Sequence, residues 1–294
     1  MFTLAHLSDP HLAPLPRPRP TELLNKRGLG YLNWLRGRRN VHRPEVLQQI
    51  VGDLKAHKPD HIIVSGDLVN LSLAAEFSRA RSWLEALGRP DDVTVVPGNH
   101  DSYVKNARHR SAENWGDYMR GDDGANSITF PFVRRRGPVA LIALSSSVPT
   151  ALLMATGALG EDQIARLAPM LEQTRGAFRV VVIHHPPFSP PQRHFKRLTD
   201  SAELRAVLAA KGAELLIHGH DHRRSLIWLD GPDGKKIPAV GVSSASAVAR
   251  HGKDDAAAYN LFQISGETAA WRCEMTSRQR DAAGVIQTVE QRPL

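Results

Sequence analysis

The sequence predicts an α/β fold in which a mostly parallel sheet is covered by helices and a second, more antiparallel sheet packs on the first. Apolar runs rich in β-branched residues alternate with helical patterns as far as residue 222, as expected for strands joined by helical crossovers. Residues 225–276 carry short successive strand patterns instead. The length suits one large domain or two small ones, and we predict a single domain over residues 1–294.

The elements follow one another in a regular order. Strands are predicted at 2–8, 61–67, 93–101, 139–145, 179–185 and 214–222. Helices are predicted at 43–58, 72–88, 160–173 and 201–212. Pro44 suits the first turn of its helix, and Gly88 is a typical residue for the end of the next one. The polar residues 278–294 are predicted to form a tail.

The composition is that of an ordinary soluble globular protein, with 41% hydrophobic and 23% charged residues. The single cysteine, Cys273, excludes an intrachain disulfide and suits a reducing compartment. The N-terminus lacks the pattern of a secretory signal, and no apolar stretch has the length that spans a bilayer. We therefore expect a cytoplasmic protein, or one peripheral to the inner face of the membrane.

The formal net charge of +8 is concentrated in one segment. Residues 17–43 hold eight basic residues and one acidic residue, Glu22. Nucleic acid, an anionic membrane, an anionic substrate or plain solvation of the surface could each explain this charge. Connections in α/β folds usually have about 2–6 residues, so we predict an insertion that stands over or beside the strand ends. Gly28 and Gly30 are expected to break its helical pattern into two short pieces.

Polar side chains of three types follow five of the predicted strands. They are Asp9 and His11; Asp67; Asn99, His100 and Asp101; His184 and His185; and His218, His220 and His222. Because the carboxyl ends of parallel strands lie at one edge of a sheet, we expect these side chains to converge. Carboxylates, a carboxamide and imidazoles suit Mn, Fe, Zn, Ni or Co. Seven candidate ligands exceed what one tetrahedral ion takes, which favours two ions bridged by one carboxylate.

The motifs SDPH, SGDL, GNHD, HHPP and GHDH, in this order, resemble the calcineurin-like metallophosphoesterase family over residues 3 to about 265. The resemblance implies a four-layer α/β/β/α sandwich of two packed mixed sheets, with a dinuclear site at the strand ends. It also implies the ligands: Asp9, His11, Asp67 and His222 for one ion, and Asp67, Asn99, His184 and His220 for the other. His100 would be the catalytic imidazole and Asp101 its neighbour.

This chemistry predicts a metal-dependent phosphodiester hydrolase. Two cations lower the pKa of a bound water, so that hydroxide is available near neutral pH to attack phosphorus. His100 is expected to stabilise the charge on the phosphoryl group and could protonate the leaving group. His185 and Arg223 are weaker candidates for contact with the substrate. We expect His218 to lie behind the site or in the core, and His6 and His61 to be structural.

The substrate is left open between several classes. The motif pattern is similar to bacterial class III cyclic-nucleotide phosphodiesterases, which favours a cyclic nucleotide. The alternative rests on residues 23–43, where aromatic and aliphatic residues interleave with arginines, as on a membrane-binding surface. This segment is closer to the UDP-diacylglucosamine pyrophosphatases of the same family. A nuclease is less favoured because the aromatics occupy one segment, and a non-catalytic scaffold because no ligand is missing.

Overall fold

The structure is a computed structural model of the chain, described here for residues 1–125, 127–250, 254–268 and 270–294. Its strands are β1 (Phe2–Leu7), β2 (His61–Val64), β3 (Val93–Val95), β4 (Phe132–Arg136), β5 (Val139–Ala143), β6 (Phe178–Val182), β7 (Leu215–His218), β8 (Ser225–Asp230), β9 (Lys236–Gly241), β10 (Ala258–Ser265), β11 (Arg272–Arg280) and β12 (Ile286–Pro293). Its α-helices are α1 (Lys26–Arg36), α2 (Pro44–Ala56), α3 (Ala74–Leu87), α4 (Arg108–Trp115), α5 (Glu161–Gln173) and α6 (Ser201–Lys211).

The strands form two six-stranded mixed sheets. The first has the order β12-β11-β10-β1-β2-β3, in which β1, β2 and β3 are parallel and the other three strands are antiparallel. The second has the order β4-β5-β6-β7-β9-β8, in which β4 and β8 are antiparallel at the two edges. The two mixed sheets confirm the fold class that the family resemblance implied.

The strand-rich C-terminal part does not form a sheet of its own, so that detail of the prediction is wrong. Strands β8 and β9 extend the second sheet, whereas β10, β11 and β12 extend the first. The chain crosses between the sheets after β9, where Ser244 forms an isolated parallel bridge with Ser8 at the end of β1. This bridge joins the two sheets at the edge where the candidate ligands lie.

Alternating side chains of the second sheet divide the core into two clusters. Leu141 and Val180 face the first sheet and belong to a cluster shared with α2 and α3. Ile142 and Val181 face the other way and pack with residues of α5 and α6, including Leu204. This alternation is the period of two that strands impose. The layers are therefore helices, sheet, sheet and helices.

The prediction that residues 278–294 form a tail is wrong. Residues Ile286–Pro293 form β12, which pairs antiparallel with β11 along its length. Most side chains of β12 are exposed or half-buried because it is an edge strand. A polar edge strand has little of the apolar alternation by which strands are recognised.

The segment 17–43 contains one unbroken helix, α1, between two short 3₁₀ turns at Pro20–Leu23 and Arg38–Asn40. Asn25 caps α1 by accepting a hydrogen bond from the Arg27 N–H. The expected break at Gly28 and Gly30 does not occur. A Cβ atom at Gly30 would lie 2.6 Å from Tyr103 Oη and 2.7 Å from Leu71 Cδ2, so this glycine lets the helix approach the body closely.

Among the described residues, no helix combines the length and the hydrophobicity that crossing a bilayer requires.

Candidate active site

The candidate ligands lie where strands of both sheets end. Asp9, Asp67 and Asn99 follow β1, β2 and β3 of the first sheet, and His184 and His220 follow β6 and β7 of the second. The sequence interpretation placed them at one edge of a single parallel sheet. The structure instead brings together the carboxyl ends of two stacked sheets, with the ligands between them.

One cluster contains Asp9, His11 and His222. Their ligand atoms lie within 4.8 Å of one another. His222 Nε2 is 3.2 Å from Asp9 Oδ1 and 3.2 Å from His11 Nε2. The main-chain N–H of His220 donates to Asp9 Oδ2 at 3.0 Å, which leaves Oδ1 facing the two imidazoles.

A second cluster contains Asp67, His184 and His220. His184 Nε2 is 3.4 Å from Asp67 Oδ2 and 3.3 Å from His220 Nδ1. The same Asp67 oxygen is 3.7 Å from His11 Nε2 of the first cluster. Asp67 therefore lies between the clusters, at the place of a bridging carboxylate.

The imidazoles are oriented by groups behind them. His184 Nδ1 donates to the Ser65 carbonyl at 2.7 Å, and His11 Nδ1 to the Val69 carbonyl at 3.2 Å. His222 Nδ1 lies 3.0 Å from a carboxylate oxygen of Asp254. A carbonyl oxygen only accepts, so the proton of the first two rings is on Nδ1 and Nε2 faces the cluster. Such outer partners are typical of metal-ligating histidines.

The donor set fits metal ions. Asn99 Oδ1 is buried and, among the described residues, has no hydrogen-bond partner. Burial alone would lower the pKa of His184, but Asp67 and Asp9 raise it to about 10. Burial would raise the pKa of Asp67, whereas His184 and His100 hold it well below its usual range. The buried carboxylates thus require positive charge beside them, and carboxylate, amide and imidazole donors are those that transition metals accept.

His100 lies beside the ligands in a fixed neutral form. Its Nδ1 donates to the Asn70 carbonyl, and its Nε2 accepts a hydrogen bond from Arg38 Nη1 at 2.9 Å. Burial, followed by the charge of Arg38, lowers its pKa to about 3. In this arrangement His100 Nε2 carries no proton. It therefore cannot protonate a leaving group, as the sequence analysis expected that it could.

Asp101 holds two loops together rather than lining the cavity. Its Oδ2 accepts from the N–H groups of Asp67 at 2.9 Å and Gly98 at 2.8 Å. Its Oδ1 accepts from Leu68 at 3.0 Å and Val69 at 3.1 Å. Burial and the Asp67 carboxylate raise the pKa of Asp101 to about 7, and the hydrogen bonds from the Gly98 and Val69 N–H groups oppose that rise. These contacts favour a role for Asp101 in positioning Asp67 over the catalytic role that the sequence analysis expected.

Five of the seven candidate ligands have left-handed backbone conformations. Their φ angles are 50° at Asp9, 37° at His11, 57° at Asp67, 68° at His220 and 52° at His222. Non-glycine residues rarely adopt positive φ, although Asp and His do so more often than most. Each of these residues turns the chain sharply at a strand end, which directs its side chain between the sheets.

A cavity of about 840 Å³ opens onto the ligands. Its wall has an excess of basic residues, Arg36, Arg38, Arg193, Lys196, Arg223 and Arg250, over the acidic residues Asp67, Asp221 and Asp254. Asp221 pairs with Arg193, and Asp254 pairs with Arg250. Two of the basic residues belong to the segment 17–43, which stands beside the strand ends. Leu153 and Phe195 also line the cavity and are exposed at its rim. The cavity therefore offers positive charge and apolar surface beside the candidate metal centre.

Four further histidines that follow or lie in strands are explained by their contacts. His6 pairs with Ser65 Oγ and His61 with Thr94 Oγ1, as expected of structural residues. His218 is buried in the core beside Gly241. His185 is fully buried, and both its ring nitrogens are hydrogen-bonded, to Ser146 Oγ and the Ala155 carbonyl. It lies behind the ligands and is not among the residues that line the cavity; its contact with a substrate stays a prediction.

Three residues near the site were not identified from the sequence as parts of it. Asp254 orients His222, and the His42 ring packs 4.4 Å from that of His11. Arg38 was one of several basic residues in the segment 17–43, with nothing to distinguish it. The candidate residues were found because they belong to motifs at the ends of predicted strands. None of these three residues belongs to such a motif.

The family profile of the calcineurin-like phosphoesterases matches residues 2–224. This match covers most of the chain and includes all seven candidate ligands. The chain belongs to the calcineurin-like phosphoesterase family. The resemblance read from the five motifs is thereby confirmed, and the family's dinuclear centre of divalent metals has matching ligand clusters here.

Known proteins similar to this calcineurin-like phosphoesterase include two from bacteria. It is 28% identical over 177 residues to a probable cyclic nucleotide phosphodiesterase of Synechococcus sp., covering 59% of this chain and 62% of that protein. It is 27% identical over 187 residues to a glycerophosphodiester phosphodiesterase of Enterobacter lignolyticus, covering 63% and 56%. The chain thus spans less than two thirds of the length of these curated relatives.

Among solved structures, a purple acid phosphatase from yellow lupin (Lupinus luteus) seeds has a similar fold. The TM-score is 0.65 over 99% of this chain and 53% of that chain, at 12% identity. At this identity the likeness concerns the fold alone.

Proposed function

We propose that this protein hydrolyses phosphodiesters at a dinuclear metal centre. The observation that carries the proposal is the position of Asp67 between two ligand clusters, with one of its oxygens 3.7 Å from His11 Nε2 and 3.4 Å from His184 Nε2. Asp9, His11 and His222 would complete one site with Asp67. Asn99, His184 and His220 would complete the other.

The residues around the ligands suit this reaction. When bound, two cations acidify a water and neutralise charge on the phosphoryl oxygens. The basic cavity wall attracts an anionic substrate, and Arg223 is a candidate for contact with it. Main-chain hydrogen bonds hold the loops that carry the ligands, so the site is pre-organised before a substrate enters.

A cyclic nucleotide is the first candidate substrate. The Synechococcus relative is described as a probable cyclic nucleotide phosphodiesterase, and the cavity of about 840 Å³ is large enough for a ligand of that size. Mn, Fe, Zn, Ni and Co are the candidate metals because the ligand set contains carboxylates, an amide and imidazoles but no thiolate. We place the protein in the cytoplasm.

The test uses purified protein with added Mn²⁺. Elemental analysis measures its metal content, and turnover is assayed with an aryl phosphodiester, an aryl phosphomonoester, cyclic AMP and a UDP-linked lipid. We expect two ions per chain and turnover of diesters above that of the monoester. Less than one ion per chain after reconstitution, together with no diesterase turnover, would rule the proposal out.

The exposed apolar residues near the cavity favour a second candidate, a pyrophosphatase that acts on a UDP-linked lipid at the inner face of the membrane. Leu29 and Leu32 of α1 are about half exposed, at 49% and 45%. Leu153 and Phe195 are exposed at the cavity rim. Lys26 connects α1 to this rim by hydrogen bonds to Thr150 and Met154. Apolar residues next to basic ones suit an anionic bilayer.

Co-sedimentation with liposomes tests this candidate. Each basic residue near an anionic surface contributes about 1 kcal/mol at low salt. Wild type should therefore bind anionic vesicles more than neutral ones, and binding should fall at high salt. Changing Arg36, Arg38 and Arg39 together to Ala should weaken it. Equal binding to both lipids would discard the membrane role and leave the cyclic nucleotide ahead.

A further inference from the structure

The basic residue closest to the ligands comes from the segment 17–43. Arg38 begins a short 3₁₀ turn, Arg38–Asn40, directly after α1. Its Nη1 donates to His100 Nε2 at 2.9 Å, and its Nη2 donates to His11 Nε2 at 2.9 Å. The guanidinium thus lies between the imidazole expected to face phosphate and a candidate metal ligand, in the wall of the cavity.

In the hydrogen bond between Arg38 and His100, the chemistry of the groups decides which one is the donor. A guanidinium can only donate, and the Asn70 carbonyl on the other side of His100 can only accept. His100 is therefore neutral, with its proton on Nδ1 and its Nε2 lone pair turned to Arg38. His100 cannot offer a hydrogen from Nε2 to a phosphoryl oxygen while it accepts from Arg38, so Arg38 is the donor on this side of the cavity.

Arg38 differs from Arg27, the buried arginine of the segment. Arg27 donates to the carbonyls of Leu71 and Ser72, which fixes α1 to the body. Arg38 donates to two imidazoles, and within the described part of the chain no carboxylate lies within 4.0 Å of its guanidinium. Arg38 is half-buried, and an anion in the cavity would compensate its charge.

The hydrogen bond from Arg38 to His11 Nε2 competes with the proposed role of His11 as a metal ligand. The Nε2 lone pair of His11 has room for one partner, so a bound ion would take it from Nη2. The guanidinium would then keep His100 and turn its second amino group to the cavity. The planar fork of a guanidinium matches two oxygens of one phosphoryl group.

We propose that Arg38 binds the phosphoryl group of the substrate and that His100 positions Arg38. This inference rests on the proposed phosphoester hydrolysis and adds a substrate-binding residue that lies outside the five motifs. It also gives the segment 17–43 a role at the reaction centre. The anchors of α1, Arg27 and the close contact at Gly30, hold the turn that carries Arg38.

The experiment measures binding of inorganic phosphate to the metal-loaded protein by calorimetry. The variants are Arg38→Ala, Arg38→Lys and the matched control Arg39→Ala, which removes the same charge from an exposed neighbour. Arg38→Ala should weaken phosphate binding about 10- to 100-fold, as expected for a charge-assisted hydrogen bond. Arg38→Lys should recover part of the affinity, and Arg39→Ala should stay within about twofold of wild type. Metal content and the unfolding midpoint should stay at wild-type values in all three.

A double-mutant cycle separates positioning from direct contact. If His100 acts by holding Arg38, His100→Asn should weaken phosphate binding in the wild-type background and add little in the Arg38→Ala background. Wild-type affinity in Arg38→Ala, loss of metal in that variant, or full additivity with His100→Asn would each overturn the inference, as would absence of phosphate binding by wild type. Phosphate binding without diester turnover would refute the proposed function alone.

Discussion

The ligand clusters and the segment 17–43 lie side by side but are held in place by different means. Main-chain hydrogen bonds join the loops that carry the ligands, such as Asp9 N to Gly66 O at 3.0 Å and His11 N to Asp67 O at 3.1 Å. Within the described chain, main-chain bonds join the segment to residues 246–248 only at its C-terminal end. Long side chains hold α1, with Lys26 and Arg27 reaching carbonyls of the body. Chemistry placed by the backbone leaves a motif in the sequence, whereas chemistry placed by one long side chain does not.

The largest effect should come from removing the bridge between the clusters. Asp67→Ala removes the carboxylate nearest to both, so we expect loss of both ions. Turnover should fall by more than the roughly 10²–10³-fold that loss of a single electrostatic donor costs. Elemental analysis and diesterase assays measure the two effects.

His100→Ala is the matched control for that prediction. It removes a half-buried side chain at the same cavity that is not among the proposed ligands, so both ions should remain while turnover falls. Retention of two ions in Asp67→Ala would contradict the role of Asp67 as the bridging ligand. Loss of ions in His100→Ala would contradict the view that His100 does not hold metal.

A smaller effect, on stability, is expected where Asp101 joins the loops. Asp101→Ala leaves four main-chain N–H groups without their acceptor, namely those of Asp67, Leu68, Val69 and Gly98. An unsatisfied buried donor costs about 1–3 kcal/mol, so we expect the four together to lower the free energy of unfolding by at least about 4 kcal/mol. Denaturation in urea measures it. A loss below about 1 kcal/mol would show that the loops are held in another way.

The smallest effect concerns how α1 docks. Gly30→Ala places a methyl group against Tyr103 and Leu71, and such overpacking costs about 1–3 kcal/mol, partly offset by the better helix propensity of alanine. We expect a net loss of about 1 kcal/mol and weaker phosphate binding, because α1 carries the turn of Arg38. Thermal unfolding and calorimetry are the measurements.

Gly52→Ala provides the comparison for Gly30→Ala, since Gly52 is exposed in α2 and its added Cβ would meet no atom within 4 Å. It should stabilise the protein by about 0.5–1 kcal/mol and leave phosphate binding unchanged. Equal stabilisation by both substitutions would mean that α1 has room to move.

The elements that could be predicted from the sequence are those with a regular local pattern. The buried strands β1, β2, β6 and β7 are mostly apolar runs followed within a few residues by Asp or His, so both the strands and the ligands were recognisable. Strand β4 was missed because its sequence is FVRRR. There Arg134 is buried and donates to the carbonyls of Pro90, Val93 and Arg120, an arrangement that depends on residues distant in the sequence.

The same reason explains the errors near the site. The roles of Asp101 and Arg38 depend on which atoms they meet across 27 or more positions of the chain. Glycines in α1 looked like helix breakers because their local propensity is poor. Only the packing against Tyr103 and Leu71 explains the need for a residue without a side chain at Gly30.

The left-handed backbone at five ligand positions has a consequence for the evolution and engineering of this protein. Non-glycine residues in sparsely populated regions of φ/ψ space cost about 1–3 kcal/mol each, and glycine would relieve much of that cost. Selection for thermal stability alone would therefore favour glycine at Asp9, His11 and Asp67, and would trade away the metal centre for a more robust fold. Stabilising libraries for this protein should leave these positions unchanged and draw on surface sites such as Gly52.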